Sequence, residues 1–169
     1  MHAATTTWLE ETFGSPSAIQ AAAWPRLAAG ESCLLVAPTG SGKTLAAFLA
    51  ALDRWLFTAA LDPGVRVVYV SPLRALAHDI EQNLLQPLEG IRAVAARLGQ
   101  PLPPLSVALR TGDTRPADRA RFVRRPSSIL ITTPESLYLL LQSRAAAHLA
   151  TVETVIVDEL HALYPTKRG

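Results

Sequence analysis

SCLLVAPTGSGKTLAAFLAALDRWL, residues 32–56, passes from an apolar segment through a glycine loop into a long helical pattern. That order of strand, glycine loop and helix is the setting a phosphate-binding loop requires. Gly40 and Gly42 let the backbone turn so that successive N–H groups face an anion, with Thr39 ahead of them and Ser41 between them in the loop. The following helix adds its unpaired N-terminal donors and its dipole. Lys43 is then placed to reach β and γ phosphates, and Thr44 to offer its hydroxyl to Mg²⁺. One departure stands in the pattern G-x-x-x-x-G-K-T: Ala37 occupies the position of the first glycine. The plainer alternative is a glycine-rich turn with an incidental lysine.

Outward from this segment the chain alternates short β-branched runs with longer helical ones. VRVVYVS (65–71), LSVALR (105–110), SILITT (128–133) and TVIVDE (154–159) join SCLLVAP (32–38) as expected strands. Most are continuously apolar, as strands buried on both faces of a parallel sheet are. Helices are expected over 17–29, 43–60, roughly 73–98 with a break near Pro87 or Gly90, 116–124 and 135–149. Pro116 suits a first helical turn, with Thr114 as a candidate cap. Such alternation predicts βαβ units and a three-layer α/β domain with a mainly parallel sheet. Trp8, Trp24 and Trp55 fall in helical segments and read as core rather than as base-stacking platforms.

The second chemical signal is TVIVDEL, which sets Asp158 and Glu159 at the carboxyl end of an apolar strand. Ligands of open α/β sheets bind at that end. Asp158 can hold Mg²⁺ opposite Thr44, and Glu159 can orient or deprotonate a water attacking the γ phosphate. Alone, an Asp-Glu pair there is more simply a solvated strand terminus; it gains weight because a phosphate loop needs a second acidic site for its metal. His161 could hydrogen-bond across the nucleotide site, though spacing favours a helix-start histidine. His2, His78 and His148 have no carboxylate or cysteine cluster around them, so they read as surface or packing residues.

Composition bounds the rest. With 169 residues, 49% hydrophobic and 18% charged, the chain suits one globular domain. The net charge is +2 and the pI about 9.0, a mild basicity that permits a nucleic-acid partner without demanding one. Six arginines lie between Arg110 and Arg125, and the charged helix face from Arg119 to Arg125 reads as solvated rather than as part of a site. The lone Cys33 fits a reducing, cytoplasmic setting. No apolar run approaches the length of a membrane span and no secretory signal opens the chain.

Taken together these segments resemble the first RecA-like lobe of a superfamily 2 helicase across nearly the whole chain. APTGSGKT (37–44) is similar to motif I, alanine included, and DELH (158–161) to the DExH form of motif II. FGSPSAIQAAAWP (13–25) resembles the Q-motif region, which implies that Gln20 contacts the adenine edge of ATP. The DExH resemblance also implies that His161 couples across the nucleotide site. SPLRALAHD (71–79), RTGDT (110–114) and TTPESL (132–137) resemble motifs Ia, Ic and Ib. These imply nucleic-acid contacts from Pro72, Arg74 and Ala75, from Thr111, Gly112 and Asp113, and from Thr133, Pro134 and Glu135. Each is a strand-end junction that offers N–H groups or small hydroxyls to a phosphate chain without reading bases, though each would equally serve as a turn or cap.

AAFLAAL after the lysine, TTPESLYLLL and DELHAL followed by KRG are most similar to the large helicase-related (Lhr) proteins. That implies an ATP-driven translocase moving 3′ to 5′ on single-stranded DNA and associated with DNA repair. A DExH RNA helicase lobe and a stand-alone nucleotide-binding module are the competing readings. By the resemblance, residues 1–169 form a helicase ATP-binding domain that stops short after motif II and needs a second RecA-like lobe. This piece alone is then expected to bind ATP with feeble or no hydrolysis.

Overall fold

The computed structural model describes residues 1–57, 64–72, 80–102 and 105–163. The chain divides into two compact units, Met1–Ala59 with Ala77–Pro103, and Ala60–Leu76 with Pro104–Gly169.

The first unit is helical. It contains α1 (Ala3–Phe13), α2 (Ala18–Ala28), α3 (Lys43–Leu56) and α4 (Gln86–Arg97), with a widened π-type turn over Glu81–Leu85 leading into α4. Helix α1 packs on α4, and α3 packs on both α2 and the π-type turn. Along α3 the residues Leu45, Phe48, Leu49, Leu52, Trp55 and Leu56 are buried, a spacing of three and four that defines one apolar face. Trp8 and Trp55 are core residues, as expected, and Trp24 donates its indole N–H to the Ala46 carbonyl oxygen at 3.1 Å. The expected break in the fourth helix falls before Pro87, not at Gly90: Pro87 supplies no N–H, and the turn ahead of it widens. Gly90 instead lies against the Trp8 indole, where a Cβ would collide.

The second unit is a four-stranded, all-parallel sheet in the order β2-β3-β1-β4. The strands are β1 (Val67–Val70), β2 (Val107–Arg110), β3 (Ile129–Thr132) and β4 (Thr154–Val157). Helix α5 (Pro116–Arg124) joins β2 to β3. Helix α6 (Pro134–Leu141) and a 3₁₀ helix (Arg144–Thr151) join β3 to β4, and the short α7 (Leu160–Leu163) follows. The inner strands β1 and β3 are buried along their whole length, whereas β2 and β4 are largely partly covered or exposed. One face packs Val68, Val70 and Leu130 against Phe122 of α5, Leu140 of α6 and Ala145.

Four of the five expected strands form. SCLLVAP (32–38) does not: it carries no ladder among the described residues, and Leu34 and Val36 are 75% and 80% exposed. Its apolar run suits a strand, but extended backbone becomes one only when its N–H and C=O groups find a ladder partner. The expected helix over 135–149 is two helices. Ser143 donates its hydroxyl to the Leu140 carbonyl at 2.8 Å and accepts from the Ala145 N–H at 3.2 Å, ending one and starting the next. Thr114 is not the cap of α5, a position held by Arg115; its hydroxyl is engaged within its own loop. Among the described residues no helix is long and apolar enough to cross a membrane.

Candidate nucleotide and nucleic-acid site

In the first unit the glycine loop is a tight structure. Gly40 and Gly42 adopt φ of 79° and 86°, in the left-handed region where side chains are strained. Gly42 precedes α3, and the N–H of Ala46 returns to its carbonyl at 2.9 Å. The Lys43 ammonium turns back into the loop and donates to the carbonyl oxygens of Ala37 (2.7 Å) and Pro38 (2.9 Å). The hydroxyl of Ser41 and the N–H groups of Gly40 and Gly42 have no hydrogen-bond partner among the described residues. A loop with unspent donors and a lysine on its rim fits a polyphosphate.

The start of α2 is fastened to this loop. Ser17 donates its hydroxyl to the Ser41 carbonyl at 2.9 Å, and Gln20 Nε2 lies 3.5 Å from the Gly42 carbonyl. Gln20 Oε1 accepts from the Ser17 N–H at 2.9 Å, so this amide, 6% exposed, ties helix to loop at both ends. A Cβ at Gly42 would approach Gln20 Nε2 to 2.7 Å, so a side chain there would push the Gln20 amide aside as well as strain φ.

In the second unit the parallel register aligns Arg110 with Thr132, Thr132 with Val70 and Val70 with Val157. The residues that follow each strand therefore share one sheet edge. Three bonds run across it: Thr132 Oγ1 to the Arg110 carbonyl (2.8 Å), the Ser71 N–H to the Thr132 carbonyl (3.2 Å), and the Asp158 N–H to the Val70 carbonyl (2.9 Å). Asp158 is held further by Tyr69, whose hydroxyl donates to Oδ2 at 3.0 Å, and by the Glu159 N–H, which donates to Oδ1 at 2.8 Å. Glu159 has φ of 51°, a left-handed conformation shared by no other described non-glycine residue. Its carboxylate Oε2 sits 3.0 Å from His161 Nδ1.

Along the same edge Thr111 is buried while Gly112 and Asp113 are exposed. Thr133 caps α6, its Oγ1 facing the Ser136 N–H at 3.4 Å and the Ser136 hydroxyl at 3.1 Å, with Pro134 and Glu135 in the first turn. Pro72 is described, whereas Arg74, Ala75 and His78 lie outside the described residues. His2 caps α1, and His148 Nε2 pairs with the Val123 carbonyl at 2.8 Å. Thr44 in the first unit and Asp158 in the second each carry a hard oxygen donor of the kind Mg²⁺ takes. Two residues escaped the sequence reading. Ser17 was hidden as an ordinary helix cap, and Tyr69 carried one signal: it is the single hydroxyl-bearing side chain within VRVVYV.

A glycine loop opening a helix in one unit, and in the other an acidic pair closing a strand of a parallel sheet, are the local features of a P-loop nucleotide-binding lobe. The model of the DEAD/DEAH box helicase family matches residues 17–169, and the chain belongs to that family. Among curated relatives, the Lhr helicase/probable uracil glycosylase of Mycolicibacterium smegmatis is 52% identical over 99% of this chain and 11% of its own length. The Lhr helicase/uracil glycosylase of Escherichia coli is 47% identical over 98% of this chain and 11% of its own. The solved structure of Mycobacterium smegmatis helicase Lhr bound to single-stranded DNA and AMP-PNP is 50% identical, with a TM-score of 0.91, over 99% of this chain and 21% of that one. The chain thus spans about a tenth of the length of these two curated relatives. The fold is RecA-like, as the sequence implied.

Proposed function

We propose that residues 1–169 act as the ATP-binding domain of an ATP-dependent translocase on single-stranded DNA, of the Lhr kind. The observation that carries this reading is the single sheet edge on which Asp158 and Glu159 follow β4 as Thr111–Asp113, Thr133 and Ser71–Pro72 follow β2, β3 and β1, whose last residues are in register. The acidic pair and the proposed phosphate-chain junctions, built on one row of strand ends, can influence each other through backbone alone.

In this reading Lys43 and the N–H groups of Thr39, Gly40, Ser41 and Gly42 cradle the phosphates, and the buried Gln20 reads adenine from the start of α2. Thr44 and Asp158 would hold Mg²⁺, which when bound neutralises the β and γ phosphates. Glu159 takes the proton of the attacking water, and His161, 3.0 Å from its carboxylate, links that base to its surroundings. Pro72, Arg74, Ala75, Thr111, Gly112, Asp113, Thr133, Pro134 and Glu135 meet the strand, with the Thr133 hydroxyl spent on its helix and its carbonyl on Leu137 and Thr132. Transition-state charge is stabilised by an arginine from a second RecA-like lobe, so these residues alone hydrolyse ATP feebly. The relatives' pairing of helicase with uracil glycosylase supports a setting in DNA repair. The lone Cys33 supports a cytoplasmic one.

Steady-state ATP hydrolysis by the full-length protein, with single-stranded DNA or RNA of matched length, tests the proposal. DNA is expected to stimulate turnover the more strongly. Stimulation by RNA alone would transfer the motor to an RNA substrate, and robust turnover by residues 1–169 in isolation would remove the need for a second lobe.

A further inference from the structure

We propose that Arg119 is a positioning residue for the loop Thr111–Thr114, holding it as a surface of hydrogen-bond donors for the phosphates of a single strand. This rests on the reading above that the loop meets nucleic acid. Arg119 Nη2 donates to the Gly112 carbonyl at 2.7 Å and Nε to the Thr114 carbonyl at 2.9 Å, so one guanidinium spans the loop. Inside the loop the Thr111 N–H donates to Thr114 Oγ1 at 2.8 Å, and the Thr114 N–H to the Thr111 carbonyl at 3.2 Å. Three of its carbonyls and two of its N–H groups are thereby occupied.

The N–H groups of Gly112 and Asp113 have no partner among the described residues, and both residues are exposed. A phosphate approaching this loop meets two adjacent donors, while the carbonyl dipoles that would repel it are turned onto Arg119. The neighbouring arginines are differently engaged. Arg115 and Arg121 both pair with Asp118, at 2.9 and 3.2 Å, and Arg110 lies over the Phe122 ring. Burial and the nearby Arg119 charge lower the Arg110 pKa from its ordinary value. These side chains line a cleft of about 410 Å³ together with Thr111, Asp113 and Thr114. Two separate nitrogens of one planar fork, Nε and Nη2, meet these two carbonyls, whereas lysine offers the charge on a single nitrogen without that fork.

The test measures single-stranded DNA affinity of the full-length protein across a salt series, for wild type, Gly112→Asp, Arg119→Ala and Arg119→Lys. Gly112 has no left-handed φ and nothing within 4 Å of a built Cβ, so Gly112→Asp places a carboxylate on the loop without disturbing the fold. Gly112→Asp is expected to weaken binding at least about tenfold, and both Arg119 variants about three- to tenfold. The slope of log affinity against log salt should be unchanged in Arg119→Ala, because Arg119 touches no phosphate. Unchanged affinity in Gly112→Asp would defeat the loop reading itself. Weakening there with none in Arg119→Ala would overturn the positioning role. So would wild-type affinity in Arg119→Lys, or a slope reduced by about 0.7, the signature of one lost phosphate contact.

Discussion

The Tyr69 hydroxyl, on a side chain with no solvent exposure, donates to Oδ2 of Asp158 at 3.0 Å across adjacent parallel strands. A hydrogen bond to a carboxylate contributes about 1.5–3 kcal/mol, and it fixes one oxygen of the residue proposed to hold Mg²⁺. Tyr69→Phe keeps the ring in the sheet and removes this bond. The Mg²⁺ concentration giving half-maximal ATP hydrolysis by the full-length protein should rise about three- to tenfold. An unchanged Mg²⁺ titration would mean that Asp158 does not depend on this bond.

Lys43→Ala removes the ammonium that reaches the Ala37 and Pro38 carbonyls. Binding of a fluorescent ATP analogue should fall below detection while the circular dichroism spectrum stays that of the parent. Retained binding would place the phosphates elsewhere than on this loop.

Glu159 combines a left-handed backbone with the role proposed for it as general base. Glu159→Gln should bind ATP normally and lose hydrolysis by at least about a hundredfold, the scale of a general base. Glu159→Gly should be as inactive, yet melt about 2–4 °C above Glu159→Gln, because a left-handed φ costs a side chain about 1 kcal/mol. Equal melting temperatures would show that the conformation is unstrained.

Gly90 lies against the Trp8 indole at the contact of α1 with α4. Gly90→Ala should destabilise the protein by about 1–2 kcal/mol in urea denaturation, overpacking outweighing the helix propensity gained. Gly112→Ala, with open space around it, should be near neutral and serves as the control.

Much of this was legible in the chain because the signals were local. Glycines at 40 and 42 announced their left-handed turns, and four β-branched runs announced a parallel sheet whose ends carry Asp158, Thr111 and Thr133. What stayed hidden depended on distant partners. SCLLVAP has the composition of a strand, but composition does not supply a ladder. Tyr69 and Asp158 are 89 positions apart, and no spacing rule connects them. Arg119 looked like one charge among many on a solvated helix, and its two carbonyl partners lie seven and five residues earlier, in the loop before that helix begins. The break at Ser143 came from one hydroxyl serving two helices, which propensity does not foresee.

The three bonds across the carboxyl edge give the sheet the character of a rack. Thr132 hangs on Arg110, Ser71 on Thr132, and Asp158 on Val70, so no strand end can slide along its axis without stretching at least one of them. A slip of one residue is about 3.3 Å and would turn every side chain to the opposite face, carrying Asp158 away from Tyr69. Displacement is thus confined to tilts and twists of the whole row, and the acidic pair and the threonine junctions keep their spacing while the row moves as one body.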